Sequence, residues 1–502
     1  MALAALGGIG ISLGALIILS VVYVLHILYN LYLHPLHKYP GPWHWAASDL
    51  PRLLMVLQGK YVHYNHELHV RYGEVVRVGP NEISYIHPQA WKDIYHHGKE
   101  NFVKDPDFMG ELPNGVPHIG TADRVTHSRM RKAFSHAFSE RALREQETLI
   151  QRHTNQMVSM VKDIIGREAS SATMNIVDVY NFTTFDMMSE MTFGESLRLL
   201  ETKTYVPWVT AIFQGLKFMT LRGVMKKLST LGRLSELLVS RGLHKQFEAH
   251  FNFSSDLVNR RLAKTDNKNP DIWHFVLQQK EEARLSVPEM HSNASGLMIG
   301  GAETVATTLC GLTSHLLREP AVLKRLVTEI REAFATDEDI TLLKLARLEY
   351  LDACITESLR LYPAAAVGLP RIVPLTGGNV CNDMIPGRTT VYLSNYAANR
   401  SEMNFSRPEE YLPERWIGSN PPFQNDRKDV FQPFSTGPRN CIGKNLAWHQ
   451  MRIIMAKLLW HFDILDFGVN KDWMDQKVFI TWEKNDLPVS VSIRGKDANW
   501  AE

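Results

Sequence analysis

The chain has 502 residues, of which 45% are hydrophobic and 22% charged, a composition that excludes a disordered or fibrous protein. Its 55 basic and 53 acidic side chains leave a formal charge of +2, which gives no electrostatic case for nucleic-acid binding. The four cysteines, Cys310, Cys354, Cys381 and Cys441, contain no CxxC pair; they exclude a disulfide scaffold and suit a reducing compartment.

In chain order, no Asp, Glu, Lys or Arg precedes Lys38, and the apolar run from Ile9 to Leu33 has the length of a bilayer-spanning helix. It is too long for a cleaved signal peptide and lacks the basic start of one. Lys38, Arg52 and Lys60 follow it, so the positive-inside bias puts the bulk of the chain in the cytosol. We therefore expect a transmembrane anchor over 1–34, a proline-rich hinge over 35–42 and one large domain over 43–502. Alternating residues at Glu74–Val78 and Glu82–Ile86, around Gly79-Pro80-Asn81, predict a β-hairpin. His63, His66 and His69 lack the His-Glu-x-x-His arrangement of a metal site.

Apolar spacing predicts a long helix from about Pro288 to Leu317, ended by Pro320. Its centre reads Gly300-Gly301-Ala302-Glu303-Thr304. Two adjacent glycines cost a helix about 1 kcal/mol each relative to alanine, and two readings offset that: close helix packing, or approach of a bulky group beside a threonine that bonds back to a carbonyl. A second helix spans about Leu345–Leu361 and carries Glu357 and Arg360 at i, i+3, by itself an ordinary pair. Thr389–Ser394 reads as a strand, and the helix after Gly443 has Leu446, Met451, Ile454 and Leu458 on one face. The fold class is mainly α with a small β-sheet subdomain.

The most specific segment is Phe434-Ser-Thr-Gly437-Pro-Arg439-Asn-Cys441-Ile-Gly443. Glycines around a single cysteine allow tight backbone geometry and close approach of a flat group. Arg439 can bond a carboxylate, Phe434 can shield the sulfur, and N–H groups at the start of the next helix favour a thiolate. The segment resembles the haem-binding signature of the cytochrome P450 monooxygenases, and further motifs in the family's order extend the likeness over nearly the whole chain.

The resemblance implies the cytochrome P450 fold behind one transmembrane helix, haem b as cofactor, Cys441 as its axial ligand, and Thr304 and Glu303 in oxygen activation and proton relay; Val305 replaces the usual small hydroxyl residue after the threonine. It implies a buried charge network of Glu357, Arg360 and the Arg415 of Pro413-Glu-Arg415-Trp416. His127-Ser-Arg-Met-Arg131 resembles the family's Trp-x-x-x-Arg segment with His in the Trp place, so His127, Arg131, Arg371 and Arg439 become candidate ligands of the haem carboxylates. Candidate pocket residues by position are Phe108, Val116, Trp208, Phe213, Phe218, Met298, Ala302, Ala366, Val367 and Phe479.

Residues 29–42 and 368–374 resemble fungal P450s of secondary metabolism, in particular the isotrichodermin C-15 hydroxylase-like group. This implies a lipophilic terpenoid, polyketide or alkaloid substrate, O2, attachment to the endoplasmic-reticulum membrane, and electrons from an NADPH–cytochrome P450 reductase, with Arg129, Lys132 and Lys444 as docking charges. Two rivals are a P450-fold isomerase or dehydratase that uses no O2, and a non-catalytic haem-binding protein.

Overall fold

The computed structural model describes residues 14, 17–96, 98, 102–167, 171–227, 241–264, 271–280, 284–418, 421–466, 468 and 471–495. The helices that position the site are α1 (Leu50–Leu57), α2 (Tyr61–Tyr72), α3 (Arg124–Ser135), α4 (Ile176–Phe193), α5 (Pro207–Lys227), α6 (Arg241–Ala263), α7 (Val287–Met298), α8 (Thr304–Arg318), α9 (Glu349–Leu361) and α10 (Lys444–His461). The α7 start is fixed by a capping box in which Ser286 and Glu289 bond each other's backbone N–H groups, with Pro288 in the first turn. Between α7 and α8 lies a π-turn, Ile299–Glu303, so the predicted long helix exists but widens at its two glycines. The other predicted helix begins later than its pattern suggested: residues Leu342–Leu345 form a separate turn before α9.

Strands occupy Val75–Gly79 (β1), Glu82–Tyr85 (β2), Val103–Lys104 (β3), Ser171–Asn175 (β4), Arg371–Ile372 (β5), Gly378–Val380 (β6), Asp383–Ile385 (β7), Thr390–Leu393 (β8), Phe462–Leu465 (β9) and Pro488–Ile493 (β10). They form sheets of order β1-β2-β8-β5-β3, β4-β10-β9 and β6-β7. The expected hairpin is β1–β2, antiparallel with Val76 opposite Ser84. β2 runs parallel to β8, Ile83 opposite Val391. α4 and α8 lie inside the main core, which is why nearly every residue of each is buried. On α10, Leu446, Met451, Ile454 and Leu458 are buried together, the face their spacing indicated.

At the N-terminus, residues 1–13, 15 and 16 of the predicted anchor lie outside the described residues. Residues 17–28 are helical and expose Ile17, Ile18, Leu19, Val21, Val22 and Val24. No helix among the described residues is long and apolar enough to cross a membrane. The proline-rich segment is fastened rather than free: Leu36 is buried, Lys38 pairs with Asp383 at 2.8 Å, and the Arg77 N–H donates to the Pro40 carbonyl at 2.7 Å.

Candidate active site

The cysteine loop is closed by a bond from the Cys441 N–H to the Phe434 carbonyl, 2.9 Å. Ser435 and Gly437 take φ of 59° and 74° to make the turn. At Gly437 a Cβ would stand 2.0 Å from the Tyr95 carbonyl oxygen, so both dihedral and space demand glycine. Gly443 differs from its expected role in backbone geometry: its φ is −86°, and a Cβ there would rest in ordinary contact 4.0 Å from Cys441 Sγ. Its bareness instead leaves room beside the sulfur. Cys441 is the exposed one of the four free cysteines. Protein nevertheless crowds round it, so desolvation pushes the thiol up, against the downward pull of the Gly443 N–H, Arg131 and Lys444.

His127, Arg131, Arg371 and Arg439 converge on the wall of one cavity of about 580 Å³, which also includes Lys104. None of Lys104, Arg131, Arg371 and Arg439 is ion-paired to a carboxylate among the described residues; their partners are carbonyls and an amide. Arg439 Nη1 donates to Ala122 O at 2.8 Å, Arg371 Nη1 to Pro370 O at 3.1 Å, Lys104 Nζ to Gly120 O, and Arg131 to both oxygens of Asn440. Burial, then the charges of Arg371 and Arg439, push Lys104 down to about 7. Burial, then Arg439, Lys104, Arg131 and Arg371, push His127 down to about 3. Like charges gathered out of water call for anions. Two carboxylates beside an exposed thiol are what a haem would bring, and the donor set fits it. Lys104 carries no motif and was not anticipated; it reaches the cluster because β3 pairs with β5, Lys104 opposite Arg371.

At the π-turn the two glycines serve the two readings separately. A Cβ on Gly301 would lie 2.4 Å from Met188 Cε, so Gly301 is there for helix packing, while Gly300 has nothing within 4 Å. Thr304 Oγ1 donates to the Gly300 carbonyl at 2.6 Å on the same open side. Glu303 is turned inward and buried. Lys484 Nζ contacts its Oε1, and Thr307 Oγ1 donates to the same oxygen at 3.2 Å.

Glu357, Arg360 and Arg415 meet, each fully buried. Glu357 accepts from Arg360 Nε at 2.9 Å and Nη2 at 2.7 Å, Arg415 Nε at 3.4 Å, Trp416 Nε1 at 2.8 Å and the Leu412 N–H at 3.0 Å. Asp426, invisible to motif reasoning, is the second acid of the network and pairs with Arg415.

The candidate pocket residues divide. Phe108 and Val116 line a cavity of about 520 Å³. Phe108, Val367 and Phe479 line another of about 110 Å³ under α5. Trp208 instead stacks on His250 at 5.6 Å, Phe218 packs on Phe247 at 5.5 Å, and Phe213 meets Phe185 edge-on at 6.0 Å. Met298, Ala302 and Ala366 are fully buried in the main core. Of the docking candidates, Arg129 is engaged by Glu289, Lys444 lies over the Phe434 ring, and Lys132 lines a basic groove with Arg124, His136 and Lys280.

The Cytochrome P450 family profile matches residues 39–487. The chain is 42% identical over 473 residues to the cytochrome P450 monooxygenase efuB of Hormonema carpetanum, covering 93% of this chain and 94% of that one. It is 38% identical to an averantin hydroxylase of Dothistroma septosporum, over 93% of this chain and 89% of that one, and 37% identical to a versicolorin B desaturase of the same fungus, over 93% and 90%. The chain belongs to the cytochrome P450 family, and it is an oxygen-incorporating oxidoreductase.

Proposed function

We propose that the protein is a haem b monooxygenase, anchored to the endoplasmic-reticulum membrane, that oxidises a lipophilic fungal secondary metabolite with O2 and electrons from an NADPH–cytochrome P450 reductase. The observation that carries this reading is Cys441, exposed at the end of its loop beside a cluster of cations that form no ion pair with an acid among the described residues. Cys441 Sγ is the iron ligand, and the Gly443 N–H, Arg131 and Lys444 favour its thiolate. Arg371, Arg439, Lys104 and His127 hold the haem carboxylates. When bound, haem activates O2 and delivers one oxygen atom to a substrate C–H bond. Thr304 supplies a hydroxyl on the open side of the helix for proton handling there, and Glu303 carries protons behind it.

Phe108, Val116, Val367 and Phe479 supply apolar walls for the substrate. The relatives named averantin hydroxylase and versicolorin B desaturase support oxidation of a fungal secondary metabolite, a terpenoid, polyketide or alkaloid. The groove of Arg124, Lys132, His136 and Lys280 supplies a basic docking face for an acidic reductase. The apolar side chains exposed over residues 17–28 support a lipid-embedded anchor within residues 1–34.

The test is expression of the full chain with and without Cys441→Ser. The wild type should give the reduced carbon monoxide difference spectrum of a thiolate-ligated haem, and Cys441→Ser should abolish it. A colourless wild type in haem-supplemented cells defeats the reading. Mass spectrometry of the metabolites that accumulate when the gene is deleted then names the substrate.

A further inference from the structure

Glu303 sits one residue from Thr304, but its carboxylate is set from outside the helix. Its Oε1 is contacted by Lys484 Nζ and accepts from Thr307 Oγ1 at 3.2 Å, and Lys484 Nζ also donates to Thr307 Oγ1 at 2.9 Å. Its Oε2 is buried and has no hydrogen-bond partner among the described residues. An orphaned acceptor on a carboxylate whose other oxygen is doubly held requires an explanation, since leaving it unmade is costly. Lys484 and Glu303 are 4% and 1% exposed, so water does not screen the contact. Lys484 belongs to neither α7 nor α8. It lies in the segment before β10, its ammonium 5.7 Å from the Phe213 ring of α5, and its neighbour Glu483 pairs with Lys217 of α5 at 3.0 Å. Two adjacent, oppositely charged residues thus tie the helix over the substrate cavity to the acid behind the open helix face.

We propose that Lys484 is a positioning residue for the oxidation: with Thr307 it fixes Oε1 of Glu303 and so presents Oε2 as the atom that takes up and passes on a proton. The inference rests on the monooxygenase reading above and names the residue that makes its acid competent. Lys484 touches neither substrate nor cofactor and acts through Glu303 alone. Its loss therefore has no effect in a chain that already lacks the carboxylate.

The experiment uses the full-length holoprotein in vesicles with an NADPH–cytochrome P450 reductase and no added substrate, and reads NADPH consumed, hydrogen peroxide released, haem content and melting temperature. The variants are Glu303→Gln, Lys484→Met and the double variant. NADPH consumption should fall about 100-fold in Glu303→Gln, the lower end of what a positioned acid–base group contributes, and about tenfold in Lys484→Met, the scale on which contacting residues of one network couple. The peroxide share should rise, the half-saturating reductase concentration should stay the same, and the double variant should match Glu303→Gln. The melting temperatures should likewise be non-additive. A Lys484→Met protein with wild-type rate and peroxide share, or one whose loss adds in full to that of Glu303→Gln, overturns the inference while leaving the monooxygenase intact. A wild type that takes up no haem removes the reading beneath it as well. If Lys484→Met fails to retain haem, Thr307→Val decides: it removes the other anchor of Oε1 without a change of charge, and it must raise the peroxide share or the proposal fails.

Discussion

Replacing Glu357 by alanine removes one carboxylate that serves five donors from Arg360, Arg415, Trp416 and Leu412. Two buried guanidiniums now balance two carboxylates, Glu357 and Asp426. The variant would leave two arginines facing Asp426 alone, a net positive charge among fully buried groups. Breaking a buried pair in this way costs about 3–5 kcal/mol, against a total stability of about 5–15 kcal/mol. At about 2 cal/mol/K per residue, the unfolding entropy of a chain this long is about 1 kcal/mol/K, so the melting temperature should drop by about 3–5 °C. The larger consequence is local. The network ties α9 to the segment 407–426, which leads into the cysteine loop, so haem retention should suffer before global folding does. The assay is haem per polypeptide and melting temperature for Glu357→Ala beside Glu357→Gln, which keeps the shape and acceptors but loses the charge. We expect Glu357→Ala to lose most of its haem and Glu357→Gln to lie between it and the wild type. A Glu357→Ala protein with full haem and a melting temperature unchanged within about 1 °C would refute the argument.

Gly437→Ala places a Cβ at φ 74° against the Tyr95 carbonyl; it should cost about 1–3 kcal/mol and show as reduced haem content, whereas an unchanged spectrum counts against the loop argument. Thr304→Ala removes the hydroxyl bonded to Gly300; NADPH consumption should continue while the peroxide share rises about tenfold, and unchanged coupling denies Thr304 its role. His69 and His250 are held neutral by burial, each pushed down to about 4. Between about pH 4 and 6.5 the unfolded chain binds more of their protons, so the stability they allow is complete above pH 6.5 and is lost as pH falls toward 4. His250→Asn should therefore flatten the dependence of the urea midpoint on pH in that window, and parallel curves would rule the account out.

The parts legible in the sequence are those whose cause is local. The β1–β2 hairpin follows from alternation around Gly79-Pro80-Asn81, and the start of α7 from Pro288 in its first turn. The apolar stripe of α10 follows from its spacing, and the cysteine loop from residue types packed into ten positions. The boundary at Leu345–Glu349 was missed because apolar spacing persists through residues that leave helical geometry. The roles of Trp208 and Phe218 were equally hidden. An aromatic residue on α5 reads the same whether it faces a cavity or α6, and only the arrival of His250 and Phe247 from α6 shows which rings these two pack against.

Within the site, what the sequence concealed is pairing across distance. Lys104 and Arg371 become neighbours through a two-residue strand pairing, and Arg415 finds Asp426 across a loop with no fixed spacing. Electrostatics then separates residues that motif reasoning had grouped. Arg131, Arg371 and Arg439 all entered as carboxylate ligands, yet Arg131 bonds both oxygens of Asn440, next to the cysteine, and so ties α3 to the thiolate loop. Arg371 and Arg439 each spend one nitrogen on a carbonyl and keep other donors to offer. Lys104 is buried, repels both and has no ion-paired acid among the described residues, so burial first and that repulsion second leave its ammonium weakly held. An anion entering this cluster relieves that repulsion as well as adding its own attractions, so binding of a doubly negative group and stability of the β3–β5 edge are the same interaction seen from two sides.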